Sequence, residues 1–394
     1  FYSEPIKNEL ATDILRITFP YLFFVSLVAL SGSIMNTYGK FSIPALTPVF
    51  YNLILVCTAI WIAPLYEVPI YAIAWGMFVA GCIQLLIQIY PLIKLKLLPN
   101  FSLNLNHPGV KKVLYLMIPG IIAGGVSQLN MLVDTILASF LPTGSPTWLY
   151  VSDRLMQLPL GIFAIAIGTV LLPRLSSLHQ TEDKEGFSRT MDWSIRLVLL
   201  IGVPSIIGLV LLSEPIILTL FERGEFIATD TRQASFSLIA LALGLIAFML
   251  IKVLIPGFFA RQNPKTPLKV AAASMVVNAV LAWLLAFYLG FNHVGLAIAS
   301  SIAAYFSTTI LLFILLKNKI YQVQQGWIIF LGRILAACLV MTVIVNLMNV
   351  EMFAWRELDQ VVRFMQLLLI TFSGIATYLA VLWVSGLRLR DLKG

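Results

Sequence analysis

The chain has 394 residues, of which 60% are hydrophobic and only 11% charged, and its mean hydropathy is +0.94. That composition excludes a soluble globular enzyme and describes a polytopic membrane protein. The net charge of +8 reads as a topology signal rather than as nucleic-acid affinity, and three cysteines standing singly in apolar runs, Cys57, Cys82 and Cys338, have no metal-site spacing.

Apolar runs of about 20 residues, the length a bilayer core requires, predict eleven transmembrane helices. In chain order they fall at 14–37, 45–65, 70–95, 111–141, 147–173, 190–212, 233–259, 267–289, 293–316, 327–349 and 361–386. A further amphipathic piece at 214–224 is too short to cross. The runs are apolar all round rather than alternating, so a β-barrel is disfavoured and the predicted class is all-α.

Lysine and arginine orient the chain, since they accumulate in cytoplasmic loops. On one side stand Lys40, Lys94, Lys96, Lys111, Lys112, Arg174, Lys184, Arg189, Arg261, Lys265, Lys269, Lys317, Lys319, Arg388, Arg390 and Lys393; the other side has only Lys7, Arg223, Arg232, Arg356 and Arg363. This bias predicts a cytoplasmic C-terminus and, with an odd number of spans, Phe1 on the outside.

The helices near 14–95 and 233–316 share a layout at a constant offset of 223 residues, with a proline opening the middle helix (Pro44, Pro267) and a lysine ending the third (Lys94, Lys317). Three helices precede the second set, at 111–212, so the repeat leads to the expectation of three more ahead of Phe1. The predicted organisation is 1–96 as the last three helices of an N-terminal lobe, 97–110 as linker, 111–319 as a six-helix C-terminal lobe and 320–394 as two additional helices. Repeated lobes commonly enclose a midplane site.

Charge at membrane depth marks where to look for function, because it costs roughly 2.5 to 3.5 kcal/mol per residue on insertion scales. Asp134 lies in the fourth span, with Asn130 one turn and Ser127 two turns before it on one face. Such a stripe reads as a cation or proton site, a cavity wall or an interhelical hydrogen bond. Asp153 and Arg154 open the fifth span, with Gln157 a turn later. Arginine presents a planar fork suited to phosphate oxygens, which makes Arg154 the leading cavity candidate; the alternatives are snorkelling to the interface or neutralisation by a carboxylate. Lys252 is a second candidate with the same snorkelling alternative, whereas Arg196, four residues after Asp192, reads as an intrahelical pair. Pro119, Gly120, Gly124 and Gly125 interrupt the fourth span and Pro159 and Gly161 the fifth, as candidate hinges or as close-packing positions. His107, His179 and His293 are scattered over loops, which gives a metal centre little support.

Four stretches resemble one family: VSQLNMLVDTILASFLPTGSPTWLYVSDRLMQLPLGIFAIAIGTVLLPRLS, KVLIPGFFARQNPKTPLKV, MDWSIRLVLLIGVPS and NTYGKFSIPALTPVFYN. They look like the bacterial lipid II flippases, MurJ or MviN, within the larger superfamily of multidrug and lipid-linked oligosaccharide exporters. That family has fourteen helices, so the chain resembles its fourth to fourteenth. The resemblance implies two pseudo-symmetric six-helix lobes plus two helices, a monomer in the bacterial inner membrane, and alternating-access transfer of undecaprenyl-pyrophosphate-linked disaccharide pentapeptide to the outer leaflet. It implies no enzyme activity, no cofactor and no nucleic-acid partner. It places Arg154, with Asp153, Gln157, Lys252 and Ser127, in the substrate cavity. It also brings coupling to sodium, to protons or to the membrane potential, with Asp134, Asn130 and Asn278 as the ion candidates. Two departures bear on this: Ala282 stands where a carboxylate would strengthen a sodium site, and Gln157 replaces an acid of many relatives. The competing readings are an exporter of O-antigen lipid or drugs, and a membrane enzyme acting on polyprenyl lipids.

Overall fold

In a bilayer every backbone N–H and C=O must be satisfied within the chain, which leaves a chain of apolar runs little choice but helices. The structure, a computed structural model, describes residues 5–94, 108–349 and 352–386, with the backbone alone over 5–7, 112–116, 118–124, 126–127, 129–130, 163–169 and 353. Every described element is helical. The chain divides into two compact units, Phe1–Lys111 and Lys112–Gly394. Most of the expected linker 97–110 lies outside the described residues.

The first unit holds α1 (Pro5–Thr18), α2 (Tyr21–Thr37), α3 (Ser42–Cys57) and α4 (Pro69–Lys94). The first expected span is split at Phe19–Pro20, where proline removes one backbone donor. From α3 the chain runs on through a π-helical turn, Thr58–Ile62, and a short 3-10 turn, Ala63–Leu65. α4 packs against α1, α2 and α3, and Gly76 permits its close approach to the π turn: a Cβ there would lie 2.7 Å from Thr58 Oγ1.

After α5 (Pro108–Ser139), the second unit runs through α6 (Ser145–Gln180), α7 (Lys184–Leu211), α8 (Ser213–Phe221), α9 (Ala228–Phe259), α10 (Lys265–Trp283), α11 (Asn292–Lys317), α12 (Trp327–Met348), α13 (Met352–Glu357) and α14 (Gln360–Val384). α9 is its centre, packed by α6, α7 and α11 around a core that includes Leu175, Met191, Leu245, Val253 and Leu315. A second core joins α12 and α14 to α7 and α8 through Leu200, Leu218, Ile334, Ala337, Ile370 and the wholly buried Trp355 of α13. α8 is the short piece expected at 214–224; α13 has no counterpart among the expected elements.

The repeat is visible in the helix limits themselves. α4 and α11 begin and end 223 residues apart, α3 and α10 begin 223 apart, and α10, like α3, ends in a π-helical turn, here Leu284–Tyr288. Among the described residues nine helices are long and apolar enough to cross a membrane, α1 and α2 together counting as one. The expected spans 111–141 and 147–173 are not among these nine; they fold as α5 and α6, of 32 and 36 residues.

The backbone stays helical through Pro119, Gly120, Gly124 and Gly125 in α5 and through Pro159 and Gly161 in α6, so neither helix is interrupted. Proline costs one hydrogen bond but its φ suits a helix, and a membrane helix tolerates that loss. A Cβ on Gly125 or Gly161 would meet nothing within 4 Å among the described residues.

Candidate functional site

The orientation of α6 follows from its buried face. Val151 and Leu155 join Ile217, Ala234 and Leu238 in a small core, and Ser152, wholly buried, donates from Oγ to Ala234 O of α9 at 2.7 Å. At its N-terminal end Trp148 Nε1 donates to Asp230 Oδ1 at 2.8 Å, and the same carboxylate accepts from Ile227 N at 2.9 Å, fixing the starts of α6 and α9 together. The His293 ring lies 4.7 Å from that of Trp148 and its Nε2 is 3.1 Å from Gln233 O.

With that face committed, helical periodicity turns Tyr150, Arg154, Gln157 and Leu158 to the opposite, exposed side. The Arg154 guanidinium lies 4.9 Å from the centre of the Tyr150 ring and makes no hydrogen bond or ion pair with a described residue. The adjacent Asp153 carboxylate interacts with it by charge alone. Because α6 starts at Ser145, Arg154 stands about 13 Å along the helix at 1.5 Å per residue. Asp153 is half-buried and accepts a hydrogen bond from Gln157 Nε2, which gives the departed acid position a role in holding Asp153.

Asp134 meets residues of two other helices. Asn278 Nδ2 of α10 donates to Asp134 Oδ1 at 3.0 Å, and Ser300 Oγ of α11 donates to Asn278 Oδ1 at 3.4 Å. The pairing of Asp134 with Asn278 was expected; Ser300 was not, since one serine in LAIASSIAA carries no local signal. One turn beyond Asp134, Ala138 packs with Ala282, Ala286, Leu296 and Ala299. The Asn278 amide turns its N–H toward Asp134 and its oxygen toward Ser300, and Ala282 is wholly buried. No described group of three or more His, Cys, Asp or Glu could hold a metal ion. The cluster reads as an interhelical hydrogen-bond network. The side chains of Ser127 and Asn130, and those of Pro119, Gly120 and Gly124, lie outside the described residues.

Lys252 is exposed on α9 and forms no hydrogen bond or ion pair with a described residue. Arg196 makes the expected intrahelical pair, Nε to Asp192 Oδ2 at 2.7 Å, but the pair does more than stabilise one helix. Asp192 Oδ1 also accepts from Tyr321 OH at 2.7 Å, Trp327 Nε1 at 2.8 Å and Gln324 N at 3.2 Å, while Arg196 Nη2 donates to Gln325 O at 2.8 Å. Burial, reinforced by Asp192, pushes the Tyr321 phenol well above its ordinary range. This latch fastens the connection between α11 and α12 to α7. Sequence reasoning missed it because its partners lie about 130 residues apart.

A helical membrane chain with a duplicated three-helix unit and an unpaired arginine on a rigidly held helix defines a class, the polytopic membrane transporters. Within that class the chain belongs to the lipid II flippase MurJ family, whose model matches residues 1–377. It is 43% identical over 387 residues to the probable lipid II flippase MurJ of Vibrio cholerae, covering 98% of this chain and 73% of that protein. It is 41% identical to that of Haemophilus influenzae, covering 98% and 76%. Among solved structures it is similar to a lipid II flippase MurJ in an inward closed conformation, at 28% identity and TM-score 0.79, covering 99% of this chain and 76% of that one. A multidrug resistance MATE transporter in an inward-facing conformation, at 14% identity and TM-score 0.70 over 79% of this chain and 72% of that one, shares the fold alone. The three helices expected ahead of Phe1 lie outside what the fold and these matches show. The chain is a multi-span transporter and not an enzyme.

Proposed function

We propose that this protein moves lipid II from the inner to the outer leaflet of the inner membrane by alternating access, as a monomer with its C-terminus in the cytoplasm. Membership of the lipid II flippase family supports the substrate. The observation that carries the site is Arg154: an exposed guanidinium on a helix pinned to α9, beside Asp153 but without a hydrogen bond or ion pair to any described residue. Its N–H donors remain available to the pyrophosphate. Asp153 and Gln157 hold each other beside it, and Lys252 supplies a second cation for the same anionic group. Asp134, Asn278 and Ser300 tie α5 to α10 and α11, so that these helices move together. Gly125 and Gly161, with no close neighbour among the described residues, are where α5 and α6 flex.

Reconstituted vesicles carrying labelled lipid II test the reading directly. Transfer to the opposite leaflet that requires the protein supports it; transfer of O-antigen lipid in its place would favour the competing exporter reading.

A further inference from the structure

The first unit contains a cavity of about 420 Å³ between α2, α3 and α4, within the size range of small-ligand sites. Ser33, Asn36, Thr47, Asn52, Gln84 and Gln88 line it, together with the Tyr21 and Tyr51 rings, whose centroids are 5.6 Å apart. No acidic or basic residue is among its lining residues. Gln84 and Gln88 are 5% and 1% exposed. Gln84 Nε2 donates to Thr47 O at 3.1 Å and Gln88 Nε2 to Thr47 Oγ1 at 2.9 Å, but both amide oxygens lack a donor among the described residues.

Burying amide oxygens without partners is costly, and the repeat shows that the fold does not demand it. At the offset of 223 residues, Thr47 corresponds to Val270, Gln88 to Leu311, Asn36 to Phe259, Asn52 to Met275 and Ser33 to Pro256. Val270 and Leu311 belong to the apolar core of the second unit. The second copy packs Val270 and Leu311 with hydrocarbon and keeps Ser307 at the position matching Gln84, whereas the first lines a cavity with neutral hydrogen-bonding groups and two aromatic rings.

We infer that this cavity is a subsite for the hydroxyl- and amide-bearing part of the substrate headgroup, its sugar and peptide. Amides and hydroxyls exchange hydrogen bonds with sugar hydroxyls and peptide groups, and tyrosine rings pack against the apolar faces of sugar rings. The absence of charge disfavours the pyrophosphate itself, which the proposed function assigns to Arg154. The lining is also rightly placed: Lys94 and Lys40 put these ends of α4 and α2 on the cytoplasmic side by charge bias, and Asn36, Thr47 and Gln88 each lie within about two turns of those ends. The inference rests on lipid II being the substrate.

The test uses the intact purified protein and the double variant Thr47→Val/Gln88→Leu, which installs the residues of the second repeat. Because it removes both partners of one hydrogen bond, the fold should retain its stability. Binding is measured to lipid II and to undecaprenyl pyrophosphate lacking sugar and peptide. The expected result is about tenfold weaker binding of lipid II with undecaprenyl pyrophosphate bound as by the unsubstituted protein. Unchanged binding of both, as when protein fills the cavity, or equal loss of both overturns the inference. If the unsubstituted protein binds neither lipid, the lipid II reading itself falls.

Discussion

Arg154 is set apart from Arg196, Arg356 and Arg363 by what surrounds it. Arg196 is paired with Asp192, Arg356 lies between Glu214 and Glu222, and Arg363 donates to two main-chain carbonyls. Arg154 has the Tyr150 ring and the charge of adjacent Asp153, but no hydrogen bond or ion pair with a described residue. Arg154→Ala should therefore abolish translocation with little loss of fold stability, whereas Lys184→Ala, on an exposed turn, should leave transport at the unsubstituted rate; outer-leaflet lipid II in cells expressing each variant is the readout. Arg154→Lys keeps the charge but loses the fork and should restore transport only in part. The Asp134 network makes a separate prediction. With Ala282 buried and Asn278 donating to Asp134, replacing sodium by potassium should leave the transport rate unchanged, and a rate that follows sodium concentration would refute the hydrogen-bond reading.

At the scale of elements, α9 organises the second unit through side chains that bond its carbonyls. Ser152 of α6 bonds Ala234 O, and on α11 Ser301, Tyr305 and Thr308 bond Ala240, Leu243 and Ala247. The small residue Gly244 lets α11 approach: a Cβ there would fall 2.5 Å from Ser301 Oγ. The cost of removing one such hydroxyl is about 1 kcal/mol, so Ser152→Ala should lower the midpoint of thermal unfolding slightly while leaving α6 folded. The latch on α7 holds more. Asp192 is 3% exposed and receives four donors, and its removal strands a partly buried guanidinium, a phenol and an indole. Asp192→Ala should cost roughly 3–5 kcal/mol and speed amide exchange over 320–327, where the connection to α12 would lose its anchor. Exchange confined to other segments would show that the anchor lies elsewhere.

For the whole molecule, the sequence was most informative where physics is local. Bilayer thickness sets helix length, so the nine clear spans matched, and the repeat survived into helix limits that coincide at one offset. What escaped was long-range. Ser300, Tyr321 and Trp327 matter through partners 22, 129 and 135 residues away, and no local pattern announces such pairings. A proline signals a missing donor, but whether a helix breaks there depends on its neighbours. The charged hairpin was legible because charge at membrane depth is costly wherever it falls. The central claim, transfer of lipid II between leaflets, is tested most directly by depleting the protein in its own cells and measuring lipid II in each leaflet. The account predicts accumulation in the inner leaflet as the protein disappears; an unchanged distribution would contradict it.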